Sequence, residues 1–323
     1  MHAISELKQL VDAEINQLAL NTTPEDLYKP ITYMLSLDAK RMRPVLVLCG
    51  CELFSGDLNK ALMPALGIEV FHNFTLLHDD IMDNAPLRRS KPTVHEKWNV
   101  NVAILSGDTM FVKACQLMMQ VEDSKVRQVM ELFHKTAIEV CEGQQLDMDF
   151  EKMQNVSIEE YIHMITNKTA VLLGASLKTG ALIAGASQED ANHIYEFGKD
   201  IGVAFQLKDD ILDVFGDDLK FGKLKGGDIV ANKKTFLLLK CFELAAGDDA
   251  LMLKKWLSTS DSQSEKIEAI TSLYQKLNVK ALAEAEMDKY FIEALNHLNA
   301  INVSDEKKSI LKGFAEKLMV REV

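Results

Sequence analysis

The sequence predicts an all-α fold, and three observations carry that expectation. Apolar residues recur at helical spacing along nearly the whole chain. Breakers are scarce: the 323 residues include only 16 glycines and 6 prolines, and no proline follows Pro92. A β-rich or mixed fold of this length requires more turn chemistry than that. Hydrophobic residues at 47% supply a sizeable core and exclude wholesale disorder.

In chain order, the first helix, 2–20, alternates charged with apolar residues and lacks the apolar run of a signal peptide. Helices follow at 25–37 and 42–54. The helix at 60–85 carries an apolar stretch into an acidic end, His78-Asp79-Asp80-Ile81-Met82-Asp83, before punctuation at 86–93. After 97–120 and 124–150 comes 158–185, which opens on a capping box of Ser157 and Glu160. Its stretch 169–186 is the most apolar of the chain. Lys178 and the small residues around it read as a buried central helix, and no membrane span is expected. The helix at 188–215 ends on Lys208-Asp209-Asp210-Ile211-Leu212-Asp213, and 216–228 mixes glycine with lysine as an exposed functional loop does. Helices at 232–246, 248–258, 262–276, 278–298 and 304–320 complete the chain. No linker or composition shift divides it, so one domain, 1–323, is expected.

The net charge is −12, which argues against non-specific nucleic-acid binding. Five cysteines (Cys49, Cys51, Cys115, Cys141, Cys241) form no CxxC pair, so they read as buried free thiols in a reducing cytoplasm.

The informative feature is an echo. Two helices 130 residues apart each present DDxxD after apolar sequence. Asp79 and Asp83 share a helical face, and clustering carboxylates in this way costs helix stability. One such run could be a solvated face. Two copies favour hard-cation binding, with Mg²⁺ bridging to a diphosphate and no all-protein metal cage. Cations concentrate beside these runs despite the acidic total: Lys40-Arg41-Met42-Arg43-Pro44, Arg88-Arg89-Ser90-Lys91, Lys168, Lys208, Lys223 and Lys233-Lys234. Guanidinium forks and ammonium charges suit phosphate oxygens.

These residues, together with Glu69 through Asp83 and Phe205-Gln206-Leu207-Lys208-Asp209-Asp210-Ile211-Leu212-Asp213, resemble the trans-isoprenyl diphosphate synthases, or polyprenyl synthetases. The resemblance spans roughly residues 40–235. It implies an all-α isoprenoid-synthase bundle around a deep central cavity, a cytoplasmic homodimer, and Mg²⁺ as cofactor. It implies head-to-tail condensation of isopentenyl diphosphate with dimethylallyl, geranyl or farnesyl diphosphate. On this pattern Asp79, Asp80, Asp83, Asp209, Asp210 and Asp213 would bind metal. Arg88, Lys168, Lys223 and Lys233 would hold the allylic diphosphate, and Lys40, Arg43, His72 and Arg89 the isopentenyl diphosphate. Lys168, Thr169 and Gln206 would lie near the reacting carbons.

Phe74, five residues before Asp79, and Phe71, one turn deeper, match the floor that limits chain length in the family. They imply a C15 or C20 product, with geranylgeranyl diphosphate slightly favoured. The sequence departs from the family pattern at Ala39, Ser90 and Asn232, where glycine is usual. The competing readings are a class I terpene cyclase, which lacks the Lys40, Arg43, His72, Arg89 set, and a catalytically silent regulatory subunit, which tends to lose aspartates.

Overall fold

The computed structural model describes residues 2–18, 22–216, 226–259 and 262–320. In order these form α1 (Ile4–Ile15), α2 (Glu25–Ser36), α3 (Met42–Leu53), α4 (Leu58–Met82), the strands β1 (Leu87–Arg88) and β2 (Lys91–Pro92), α5 (Val94–Lys97), α6 (Val100–Met118) and α7 (Asp123–Lys152). Then come α8 (Ile158–Ile165), a π-helical turn (Thr166–Ala170), α9 (Val171–Ala184), α10 (Gln188–Phe215), α11 (Gly227–Val230), α12 (Phe236–Leu244), α13 (Asp248–Leu257), α14 (Gln263–Lys276), α15 (Val279–Ala300) and α16 (Asp305–Val320). The all-α expectation holds.

The chain divides into two compact units, each assembled from three stretches. The first comprises 1–135, 175–195 and 302–310, and the second 136–174, 196–301 and 311–323. In the first unit α4 is central and packs along α6 and α3. Leu62, Leu66, Ile68, Val70 and Phe71 are all buried, so α4 is apolar around most of its circumference, as a central helix must be. Asp57 caps it by accepting from the Asn59 N–H at 3.0 Å. In the second unit Phe150, Tyr161, Leu207, Ile211, Leu237 and Tyr274 form one buried cluster.

The capping box at α8 is present. Ser157 Oγ accepts from the Glu160 N–H at 3.1 Å, and Glu160 Oε2 accepts from the Ser157 N–H at 2.8 Å. Three helices differ from the periodicity, and the punctuation at 86–93 takes a definite form. The continuous helix expected over 158–185 is broken by the π-helical turn, which periodicity cannot register because the widened turn displaces only one residue. The punctuation at 86–93 is a hairpin in which Arg88 pairs with Lys91 around a two-residue loop. The helix expected over 97–120 begins only at Val100, because Trp98 leaves helical geometry after α5 and Asn99 starts the new helix by capping the Val102 N–H at 2.9 Å. The helix expected from 232 begins at Phe236. Of the five thiols, Cys49, Cys51 and Cys241 are buried, Cys115 is half-buried and Cys141 is exposed.

Candidate active site

The first unit gathers the cationic residues around His72. Arg41 occupies the N-cap of α3 in the left-handed region, φ 50°. Its side chain is buried and donates to Glu69 Oε1 at 2.7 Å, Asp12 Oδ1 at 3.1 Å and the Leu35 carbonyl. Glu69 is 2% exposed and also accepts from Asn73 Nδ2 at 3.0 Å. This clip fixes the loop that carries Lys40, which is exposed, and Arg43, in the first turn of α3.

Arg43 Nη1 donates to His72 Nε2 at 3.0 Å, so the imidazole accepts at that nitrogen and carries its proton on Nδ1. Burial, reinforced by the guanidiniums of Arg43, Arg89, Arg88 and Arg41, holds His72 well below the ordinary histidine range. Burial also draws Arg43 down to about 10, with Glu69 opposing it. Four guanidiniums thus lie near a neutral imidazole, with Glu69 as the acid that opposes the fall of both Arg43 and Arg89.

The hairpin directs its two arginines apart. Arg89 and Ser90 both sit in the left-handed region, φ 53° and 61°, as a two-residue hairpin loop requires. Arg88 therefore reaches back to the first acidic motif, and Arg89 Nη1 turns to the Leu37 carbonyl at 3.4 Å. Arg88 Nε donates to both Asp80 oxygens, at 2.8 and 2.9 Å, and Arg88 Nη2 lies 3.5 Å from Asp79 Oδ2. Asp80 is 2% exposed, and burial raises its carboxyl against the pull of Arg88. Asp79 is half-buried, and Asp83, exposed, is the C-cap of α4.

Below this end lies a cluster of four phenylalanines. Phe71 is 5.7 Å from Phe74, 6.0 Å from Phe111 and 5.2 Å from Phe133 between ring centroids, and Phe74 is 5.4 Å from Phe111. Phe71 and Phe133 are fully buried, whereas Phe74 and Phe111 are only partly so.

The second unit holds the other set. Lys168 and Thr169 project from the π-helical turn, and two glycines allow the turn to seat there. A Cβ on Gly143 of α7 would lie 2.1 Å from the Lys168 nitrogen, and one on Gly202 of α10 would lie 2.6 Å from the Ala170 Cα. Lys168 Nζ meets Asp147 Oδ2 at 2.6 Å, and Thr169 Oγ1 donates to Gln206 Oε1 at 3.4 Å.

One turn beyond Gln206, Asp209 is half-buried, and Asp210 is buried and accepts from the Tyr161 hydroxyl. Burial pushes Asp210 up to about 7, the Tyr161 hydrogen bond opposing and Asp228 adding to the rise. Asp213 Oδ2 accepts from the Asp228 N–H at 3.1 Å. Lys233 is exposed and lowers Asp210 electrostatically. Asn232, at φ 53°, donates to the Leu257 carbonyl at 3.0 Å and accepts from Lys266 Nζ at 2.6 Å. Its side chain thus makes bonds that the usual glycine could not. Lys223 lies outside the described residues.

Thr169 is therefore joined to Gln206, and Arg43 to His72. Participants given no individual role from sequence include Arg41, Glu69, Asp147, Tyr161, Phe111 and Phe133. Glu69 had a signal, an acid inside the apolar run from Ala65 to Phe71. Tyr161 and Phe133 had none, because their partners lie on other helices.

The polyprenyl synthetase family model matches residues 24–274. A geranylgeranyl diphosphate synthase of Methanosarcina mazei is 37% identical over 327 residues, covering 100% of this chain and 99% of that one. The chain belongs to the polyprenyl synthetase family. Another relative, a short chain isoprenyl diphosphate synthase of Methanothermobacter thermautotrophicus, is 34% identical and covers 96% of this chain and 95% of its own. A crystal structure of a geranylgeranyl pyrophosphate synthase superposes with a TM-score of 0.95 at 41% identity, covering 100% of both chains. The family makes the chain a trans-prenyltransferase, and neither the cyclase nor the silent-subunit reading gains support from these relatives.

Proposed function

We propose that the protein condenses isopentenyl diphosphate head-to-tail with an allylic diphosphate (dimethylallyl, geranyl or farnesyl) to a C15–C20 product, geranylgeranyl diphosphate being favoured. The observation that carries this reading is the guanidinium group around His72, which suits a diphosphate and has no use in a purely structural helix. Lys40, Arg43, His72 and Arg89 would bind isopentenyl diphosphate there. Arg88, Lys168, Lys233 and Lys223 would hold the allylic diphosphate.

The donor set fits Mg²⁺. The two motifs supply hard carboxylate oxygens, and among the described residues no three His, Cys, Asp or Glu side chains form a ready cage. Coordination would therefore be completed by phosphate oxygens and water. Asp79, Asp83, Asp209 and Asp213 are the more accessible carboxylates, and Asp80 and Asp210 are held from behind by Arg88 and Tyr161. Bound Mg²⁺ would neutralise the diphosphate and favour its departure. Thr169 and Gln206 would flank the reacting carbons, buried apolar walls would exclude water from the allylic cation, and the departing diphosphate would take the proton.

We propose one polyprenyl synthetase domain spanning 1–323. A cytoplasmic homodimer completes the reading. Val100, Ile104, Leu105 and Val112 on α6, with Met119 just beyond it, are 41–60% exposed, an apolar face that a second copy would cover. Among the described residues no helix is long and apolar enough to cross a membrane.

The metal and diphosphate roles are tested together by Asp79→Ala and Asp209→Ala. Each should cut turnover by orders of magnitude at unchanged helical content, and near-normal turnover in both would refute the assignment. In parallel, Arg43→Ala should raise the KM for isopentenyl diphosphate while sparing the allylic KM.

A further inference from the structure

The two acidic motifs match in sequence but are supported differently. Asp80 is held by a cation, Arg88, whose charge would also be drawn to a bound diphosphate. Asp210 is held by a neutral phenol. Tyr161, 2% exposed on α8, donates its hydroxyl to Asp210 Oδ2. The side chain of Gln206, one turn earlier on α10, helps to hold the Asp210 carboxyl down against burial. Gln206 Oε1 accepts from Thr169 Oγ1 at 3.4 Å. Thr169 thus gives to Gln206, and Tyr161 gives to Asp210 from the core side.

We propose that Tyr161 is a positioning residue, whose hydroxyl sets the rotamer of Asp210. The inference rests on the reading of this region as the diphosphate site. The core around Tyr161 fixes the ring, since Phe150, Leu207 and Ile211 belong to the same buried cluster. A buried phenol cannot transfer to an incoming diphosphate as a guanidinium can, so this support persists through turnover. A hydrogen bond from a fixed, buried donor holds a carboxylate rotamer more firmly than one from a mobile side chain.

The test compares Tyr161→Phe with Tyr274→Phe in the full chain. Tyr274 lies in the same core, is equally buried, and makes no hydrogen bond among the described residues. Tyr161→Phe is expected to lower kcat roughly 10- to 100-fold, the worth of a hydrogen bond to a charged group, with the KM for isopentenyl diphosphate within about twofold. Calorimetric titration with inorganic diphosphate and Mg²⁺ should show weaker binding in Tyr161→Phe and unaltered binding in Tyr274→Phe.

In an Asp210→Asn background, Tyr161→Phe should cost little further, because its partner is already changed. If Tyr161→Phe does not fold, difluorotyrosine at 161 strengthens the donor without altering its shape, and kcat should move with it. An unchanged kcat in an active enzyme, or an undiminished effect in the Asp210→Asn background, overturns the inference alone. A wild-type protein that neither condenses the substrates nor binds diphosphate overturns the functional reading and this inference with it.

Discussion

Phe74→Ala should lengthen the product by one C5 unit and then stop. Phe74 is the partly exposed ring nearest the first acidic motif, and Phe71 and Phe111 stand behind it at 5.7 and 5.4 Å between centroids. Removing the ring opens a space about one ring deep. An extended isoprene unit, four chain carbons with bonds near 1.5 Å, spans roughly 5 Å, so one unit fills that space. Growth beyond it meets Phe71, itself backed by Phe133 at 5.2 Å.

The variant should fold, because truncating a half-buried ring costs less than the ~3–5 kcal/mol of a fully buried one. The assay is chromatography of the dephosphorylated products from radiolabelled isopentenyl diphosphate, with Phe74→Ala compared to Phe74→Ala/Phe111→Ala. The double variant should release a further unit. An unchanged distribution in Phe74→Ala would put the floor elsewhere, and a wild-type product of C30 or longer would refute the reasoning outright.

Three further outcomes concern stability and can be read by thermal melting. Ser90→Gly should stabilise by about 1 kcal/mol, since φ 61° strains a side chain that glycine lacks. Asn232→Gly relieves similar strain but should destabilise overall, because Lys266, 3% exposed, keeps only the Val230 carbonyl as acceptor among the described residues. Gly143→Ala should collapse the π-helical turn, with a loss of about 1–3 kcal/mol or more and the disappearance of turnover, since its Cβ would fall 2.1 Å from the Lys168 nitrogen.

Asp200, away from the acidic motifs, supplies one part of the pH dependence. Burial raises its carboxyl to about 7, Lys199 opposing. The folded chain thus keeps a proton that the unfolded chain releases near pH 4, and stability falls as pH rises from about 4 to about 7. Asp200→Asn should melt higher than wild type at pH 8, with the gap closing towards pH 4. An equal gap at both ends would remove Asp200 as the cause.

Much of this was legible because the chemistry repeats in the sequence. The paired DDxxD runs and the Lys40-to-Pro44 cluster name their own function through charge that an acidic, helical chain would otherwise disperse. A long apolar run located α4 and one-face periodicity located α10, since neither pattern depends on the choice of neighbour. Periodicity could not locate the π-helical turn, which depends on Gly143 and Gly202 of two other helices. Nor could it find Tyr161 behind Asp210, or the Phe111 and Phe133 rings behind Phe74, because those contacts are set by packing between distant segments. The usual-glycine positions were informative in a different way. Ser90 and Asn232 do occupy left-handed backbone, and only Asn232 uses its side chain to compensate.

The most direct test of the central claim is incubation of the purified chain with labelled isopentenyl diphosphate, Mg²⁺ and, in turn, dimethylallyl, geranyl and farnesyl diphosphate, followed by product sizing. The account predicts linear prenyl diphosphates ending at C15 or C20, abolished by chelation. Cyclic hydrocarbon from the allylic substrate alone, or no elongation with any primer, would contradict it.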